Sequence, residues 1–378
     1  MYSIRSYVAM MHDTRRIAAY RRALERVVTP DSVVVDIGTG LGVFAFLACQ
    51  AGARKVYAID PSDVVAVARE LAASNGFSGR IEFIEDYSTK VTLPELADVV
   101  VSELAGVVPQ FRRHIPIIVD ARKRLLKPHA AFIPRSDTMW AAVVSDADVY
   151  AKNVPPADPG FGLNIRLACH MAANACGNRC FSEAQLLSTP VQLAVIDYAG
   201  VEDPNLRTQV EWNVVRPGNG HGISIWFDRT LADGVYYSTA PGEVEMIYGA
   251  LFLPWPEPVE LAQNDTVQLD LRADLQDDDY VWSWNTKVSS GSRVKRAFRQ
   301  SEFLSHPHSP SRMQKQSADH VPTLNHEGEL DRLVLQLMDG RNAIQDIAQV
   351  LAQKFPARFQ SAGQAIGYVA DLSRKYSL

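Results

Sequence analysis

The sequence predicts a doubly wound, Rossmann-like α/β sheet, then an antiparallel β-barrel-like domain and a small helical C-terminal domain, and three observations carry that prediction. Strand-like and helix-like runs alternate through residues 1–135, which specifies parallel strands joined by helical crossovers. Across 136–290 short strand-like runs are punctuated by Pro, Gly, Asn and Asp, the grammar of an antiparallel domain. After 325 the apolar residues return to helical spacing.

In the first part, DTRRIAAYRRALERVV at 13–28 sets Ile17, Tyr20, Leu24, Val27 and Val28 on one helical face, with Asp13 as N-cap. SVVVDIGTGLG then reads as a buried strand running into a glycine-rich turn, followed by the helical run VFAFLACQAG. KVYAID is the second strand, DVVAVARELAASNG a helix stopped at Gly76, and RIEFIED the third strand. ADVVVSE gives a fourth strand, HIPIIVDARKRLL a helix with basic residues in its last turn, and AAFIP a fifth strand.

The antiparallel series runs through TMWAAVVSD, VQLAVIDY, TQVEWNVVR, GISIWFDR, GVYYST, GALFLPW, DTVQLDLRAD and DDYVWSWNTKV. Residues 291–325, rich in Ser, Gln, Pro and basic side chains, read as a linker. In 326–378, Leu330, Leu333, Val334, Leu337 and Met338 form one helical stripe. Asn342 with Gln345 suggests the start of a second helix carrying Ile344, Ile347, Ala348, Leu351 and Phe355, and Ala362, Ile366, Val369 and Leu372 mark a third.

A net charge of -5 with 21% charged residues leaves no basic footprint for nucleic acid. The opening residues lack an apolar segment with a cleavage site and no run is long enough to span a bilayer, so the expectation is a cytoplasmic protein that does not engage membranes. CHMAANACGNRC clusters Cys169, His170, Cys176 and Cys180, but its spacing matches no common zinc module, and the expectation is buried or partly buried thiols on an amphipathic helix with no metal.

DIGTGLG, Asp36 to Gly42, is the strongest chemical signal. Glycines at 38, 40 and 42 allow a sharp turn and close approach of a ligand to a helix N-terminus. Val43 stands where a dinucleotide fingerprint wants a third Gly or Ala. Asp60, ending the second strand, can accept hydrogen bonds from ribose hydroxyls, which implies an adenosine ligand. Asp36 would repel a pyrophosphate yet suits the positive end of an amino-acid ligand, favouring S-adenosylmethionine over NAD.

With those residues in view, the chain resembles the protein arginine methyltransferase family over roughly residues 7–290, through HDTRRIAAYRRAL, VVVDIGTGLGVFAFLACQAGARKVYAID, ADVVVSELAG and DARKRLLKPHAAFIPRSDTMWAAVVSD. The resemblance implies a methyltransferase with S-adenosylmethionine as donor and a peptide or protein as acceptor. It implies Arg16 on the donor's carboxylate, Met10 and Met11 near its sulfonium or adenosine, Gly38 and Gly40 against its methionine part, Asp60 on the ribose, and Asp86, Ser88 and Thr89 near the adenine. A homodimer built through an arm near 155–190 is implied as well.

The acceptor side departs from the family. Glu103 fills the first of two clamping glutamates and borders the donor site, but the register sets Arg112 at the second, where its fixed charge would repel a guanidinium. Glu103 is therefore the candidate base and Arg112 a candidate acceptor-reading residue, with an ordinary loop salt bridge from Glu103 to Arg112 or Arg113 as the plainer alternative. His114 reads as a surface or capping residue. The family's barrel histidine is missing, since Glu245, Met246 and Ile247 occupy that motif.

These departures leave arginine uncertain as acceptor, and keep open a small-molecule methyltransferase or a catalytically silent donor-binding scaffold. Around LMDG, the last 50 or so residues resemble the peptide chaperone of pyrroloquinoline quinone biosynthesis, which implies a peptide-binding role.

Overall fold

Val33–Ile37 (β1) lies at the middle of a five-stranded parallel sheet, and every one of its residues is buried, as a strand covered by helices on both faces must be. The computed structural model describes residues 3–156, 158, 162–244 and 246–377. Its two compact units are Met1–His306 and Pro307–Leu378.

The first unit begins with helices α1 (Ile4–Met11), capped by Ser3, and α2 (Thr14–Val27), whose N-cap Asp13 accepts a hydrogen bond from the Arg16 N–H. After β1 come α3 (Val43–Gln50), β2 (Lys55–Ile59), α4 (Val64–Ser74), β3 (Ile81–Ile84), β4 (Ala97–Ser102), α5 (His114–Arg124) and β5 (Leu126–Ile133). The sheet order is β3-β2-β1-β4-β5, so the chain reverses its direction of travel across the sheet at β1 and β4, where ligands of open α/β sheets bind. Separate helix α1, which the sequence pattern did not resolve, packs Tyr7 onto the glycine turn.

The antiparallel part is built from β6 (Ser136–Val144), α6 (Ala147–Asn153), α7 (Arg166–Ala172), β7 (Gly177–Arg179), β8 (Val191–Asp197), β9 (Leu206–Asn213), β10 (Gly218–Ala232), β11 (Val235–Ser238), β12 (Ala250–Leu261), β13 (Thr266–Gln276), β14 (Asp279–Ser290) and β15 (Arg293–Ser301). Among the described residues these strands form two sheets rather than a closed barrel: β7-β12-β10-β6-β8, with β11 on β10, and β15-β14-β13-β9. One apolar core joins them, with Met139, Ile223 and Leu253 from the first sheet against Trp212, Leu269 and Trp284 from the second. A second core ties α2 and α3 to β10 and β11 through Tyr20, Leu24, Phe44, Phe227, Leu231 and Tyr237.

Two expectations change here. The linker expected from 291 starts as strand β15, an edge strand whose exposed Arg293, Arg296 and Arg299 side chains guard its free side and made it look like polar connection. The cysteine-rich stretch is not one helix, because α7 ends at Ala172 and Gly177–Arg179 pairs with β12.

The second unit contains α8 (Pro310–Gln314), α9 (His326–Leu337), α10 (Ile344–Lys354) and α11 (Ala362–Tyr376). Leu330, Val334, Ile347, Ala348, Leu351, Phe359, Ala365 and Val369 form its core. Asp346 rather than Gln345 caps α10, accepting from the Ala343 N–H, while Asn342 reaches back to the Leu337 carbonyl. No helix among the described residues is long and apolar enough to cross a membrane.

Candidate active site

Ile37 and Ser102 are register partners at the ends of β1 and β4, so Gly38 and Glu103 leave the sheet side by side. Gly38, Gly40 and Gly42 all have positive φ. A Cβ on Gly38 would stand 2.4 Å from Leu104 Cδ2, and one on Gly40 2.9 Å from the Tyr7 ring. Only glycine fits either position. Gly42 is the N-cap of α3 and offers no side chain to cap the first amides of that helix, of which the Ala45 N–H donates to Asp36.

Asp36 is fully buried below this turn: Oδ2 accepts from Thr39 Oγ1 at 2.7 Å and from the Ala45 N–H at 3.1 Å, while Oδ1 has no partner. Burial pushes its pKa up to about 7, against the two hydrogen bonds. Asp60 Oδ2 accepts from the Gly40 N–H at 3.0 Å, and Oδ1 from the Ser62 N–H at 3.0 Å and Ser62 Oγ at 2.5 Å. Three of its roughly four acceptor directions are thus used within the loop, leaving one for a ligand.

Asp86 is half-buried and bonds the Tyr87 N–H, Ser88 is buried with its carbonyl on Arg124, and Thr89 is exposed. Met10 and Met11 are half-buried, and the Met10 carbonyl accepts from Arg16 Nη2 at 2.5 Å. Arg16 itself is only 3% exposed. Burial works against its charge, but Tyr248 and Glu103 outweigh that and raise its pKa. A glycine cradle, an unpartnered buried carboxylate oxygen and a strand-end aspartate fit an adenosine-bearing, positively charged donor.

The surroundings of Glu103 are organised by a residue that the sequence reading passed over. Arg229 on β10 is the register partner of Asp137 on β6. Its Nε and Nη2 each donate to an Asp137 oxygen at 2.7 Å, and its Nη1 donates to Glu103 Oε1 at 2.6 Å. Tyr198 Oη completes the network with a 2.5 Å hydrogen bond to Asp137 Oδ2. Arg229 is fully buried and Glu103 6% exposed. Burial disfavours the Arg229 charge, yet Asp137 and Glu103 hold its pKa above the ordinary value.

Arg16 Nη1 approaches the other Glu103 oxygen at 3.4 Å. Tyr20, Tyr237 and Tyr248 surround this group, all with pKa raised by burial first and by the negative charge of Glu103.

Arg112 is exposed, with positive φ, its guanidinium 5.3 Å from the Phe111 ring centroid and its N–H on Asp279 Oδ1. Arg113 reaches the Asp277 carbonyl and Asp278. Neither pairs with Glu103, so the local salt bridge considered from the sequence gives way to pairs with Arg229 and Arg16. His114, expected at the surface, is 2% exposed. Its Nδ1 donates to the Pro109 carbonyl, Nε2 has no partner, and burial and then Arg229 lower its pKa to about 4. Glu245 lies outside the described residues; Met246 packs into the α2–β10 core, and the Ile247 N–H donates to Asp13.

Cys169 meets the Pro156 carbonyl, Cys176 carries a pKa raised by burial, and Cys180 is exposed. Among the described residues no three His, Cys, Asp or Glu side chains gather as a metal-ligating group.

Residues 11–133 match the family model of ribosomal protein L11 methyltransferase (PrmA). The chain is 28% identical over 228 residues to a probable protein arginine N-methyltransferase 6 of Arabidopsis thaliana, covering 58% of this chain and 52% of that one. It is 27% identical over 274 residues to the histone-arginine methyltransferase CARMER of Drosophila mojavensis, covering 68% and 51%. Its fold matches the Trypanosoma brucei PRMT1 enzyme-prozyme heterotetrameric complex with AdoHcy at a TM-score of 0.71 and 20% identity, over 78% of this chain and 96% of that one. For protein arginine methyltransferase 10 of Arabidopsis thaliana the TM-score is 0.70 at 21% identity, over 79% and 97%.

In sequence and fold the chain is similar to protein arginine methyltransferases. It spans about half the length of the curated relatives it matches. In this arginine methyltransferase-like fold, sequence reading singled out the glycine turn, Asp60 and Glu103, each of which is read from one strand end. It missed Arg229 and Asp137, whose only signal is charge inside apolar strand runs, WFDRTLA and SDTMWAA, and it missed Tyr198 at the end of VQLAVIDY.

Proposed function

We propose that the first unit transfers a methyl group from S-adenosylmethionine to a side-chain nitrogen of a peptide or protein, as a methyltransferase of the protein arginine methyltransferase type. The observation that carries this reading is the juxtaposition of Gly38 and Glu103 at paired strand ends, a donor cradle directly beside a buried carboxylate. Bound there, S-adenosylmethionine supplies an electrophilic methyl on a cationic sulfur.

The protein's task is then to position the partners and exclude water. Gly38 and Gly40 line the donor's amino-acid part, Arg16 takes its carboxylate, Asp60 a ribose hydroxyl, and Asp86 and Ser88 the adenine edge. Asp36 faces the positive end. Glu103 orients the acceptor nitrogen by accepting its N–H. The relatives' names speak for a protein acceptor, and the matched trypanosome structure contains AdoHcy.

Self-association as a homodimer through residues near 155–190 belongs to the same proposal; the heterotetrameric trypanosome complex speaks for oligomerisation of this fold in general. A cytoplasmic site of action is proposed too, supported by a cysteine content too low for a disulfide framework.

The test is transfer of an isotopically labelled methyl to a peptide library, read by mass spectrometry, beside calorimetric titration with S-adenosylhomocysteine. Label on a peptide side chain, lost in Glu103→Gln, is the expected result. Normal titration with no labelled peptide would defeat the reading.

A further inference from the structure

We infer that Arg229 is a specificity-determining residue that reserves the place beside Glu103 for a peptide nitrogen able to arrive uncharged, an amine or an imidazole, in preference to a guanidinium. The inference rests on the methyl-transfer reading above and narrows its acceptor class.

Glu103 already holds one guanidinium from its own chain. Arg229 cannot swing away from it: two of its nitrogens are committed to Asp137, and Asp137 is held by Tyr198. The Arg229 guanidinium carbon lies 4.8 Å from the Phe227 ring centroid and 6.0 Å from that of Tyr237, with no solvent exposure. Arg16 brings a second cation to the other Glu103 oxygen.

An acceptor guanidinium would therefore meet the fixed charge of Arg229, with Arg16 shared between Asp13 and the donor's carboxylate, and its pKa is too high for it to shed its own. Like charges push an amine or imidazole toward its neutral form, the nucleophilic one. Tyr20, Tyr237 and Tyr248 stay protonated beside Glu103, so they offer hydrogen bonds but no counter-charge. Of the two further buried carboxylates of the cluster, Asp137 is fully engaged with Arg229 and Tyr198, and Asp13 lies 3.5 Å from Arg16 Nε. The neutral nitrogen's lone pair forms the bond to the methyl carbon as the carbon–sulfur bond breaks toward sulfur, and the product releases its extra proton to water.

The experiment compares three peptides identical except for a central Arg, Lys or His. Each is titrated by calorimetry into the full chain with S-adenosylhomocysteine present, and each is assayed for labelled-methyl transfer. Because Arg229→Ala strands Asp137 and can fail to fold, the decisive variant is Arg229→Leu with Asp137→Leu, with unchanged S-adenosylhomocysteine affinity as its folding control. Arg229→Lys, which keeps the charge, is the rescue.

The wild type is expected to bind the Lys or His peptide at least about tenfold more tightly than the Arg peptide. The double variant should shift that ratio toward Arg by about tenfold, and Arg229→Lys should keep the wild-type ratio. An Arg peptide preferred by the wild type, a ratio unmoved in the double variant, or no binding of any of the three overturns the inference. Selective binding without methyl transfer upholds it and defeats the functional reading instead.

Discussion

Arg229 Nη1 lies 2.6 Å from Glu103 Oε1, joining a strand of the antiparallel part to the loop that follows β4 in the parallel sheet. Glu103, Arg229 and Asp137 form a buried triad in which the cation sits between two carboxylates. Such a triad costs little while it is complete and much when one member is removed.

Arg229→Ala is therefore expected to lose about 3–5 kcal/mol of stability, because it leaves two carboxylates buried without their cation. Replacing both Arg229 and Asp137 by Leu should recover most of that loss. Urea unfolding midpoints of the two variants give the comparison, and equal midpoints would refute the pairing.

Gly40→Ala meets two obstacles, a left-handed φ of +53° and the Tyr7 ring 2.9 Å from the new Cβ. Backbone strain should cost about 1–2 kcal/mol, and displacement of α1 should weaken S-adenosylhomocysteine binding by about tenfold. Gly52→Ala is the control: its φ is also positive, but nothing stands within 4 Å of the Cβ. It should lose stability without losing ligand affinity. Calorimetric titration and thermal unfolding of both variants separate the two effects.

Arg16→Met removes the guanidinium that links the Met10 carbonyl to Glu103. Ligand affinity for S-adenosylhomocysteine should fall by about tenfold or more, and Arg16→Lys should restore only part of it because a single ammonium cannot replace the fork. Unchanged affinity in Arg16→Met would remove Arg16 from the donor site.

Asp36 and His114 impose opposite pH dependences on folding. Asp36 has its pKa raised from 3.8 to about 7, so its contribution is fully present below 3.8 and is lost as pH rises through about 7. His114 has its pKa lowered from 6.5 to about 4, so its contribution is present above 6.5 and is lost as pH falls through about 4. Each slope is about 1.4 kcal/mol per pH unit, and they oppose one another between about pH 4 and 6.5. Relative to wild type, Asp36→Asn should therefore gain stability with rising pH, whereas His114→Asn should gain it with falling pH. Urea midpoints measured from pH 4 to 8 test the signs.

Most of the parallel sheet was legible because its information is local: an apolar run, a glycine turn, a helix, and again. Glu103 was legible for the same reason, as the acidic residue at a strand's end. Arg229 and Asp137 are 92 residues apart, and they meet only once β6 and β10 are paired in register. No local pattern contains that pairing. Arg112 misled for the converse reason: counting along the loop brought it to the acceptor, whereas its positive φ and the Asp279 contact turn the chain there toward the surface. Strand β15 was hidden by the very basic residues that protect its edge.

The pairing of Glu103 with Arg229 also bears on modularity. Cutting the chain near residue 135 would keep every element that cradles the donor, yet it would strip Glu103 of its nearest cation and α2 of the apolar cover from Phe227, Leu231 and Tyr237. The nucleotide-binding half is thus not an autonomous catalyst onto which a second domain was appended. The first unit is expected to melt as one cooperative whole, because the buried network of Glu103, Arg229 and Asp137 is assembled from both halves and neither retains it alone.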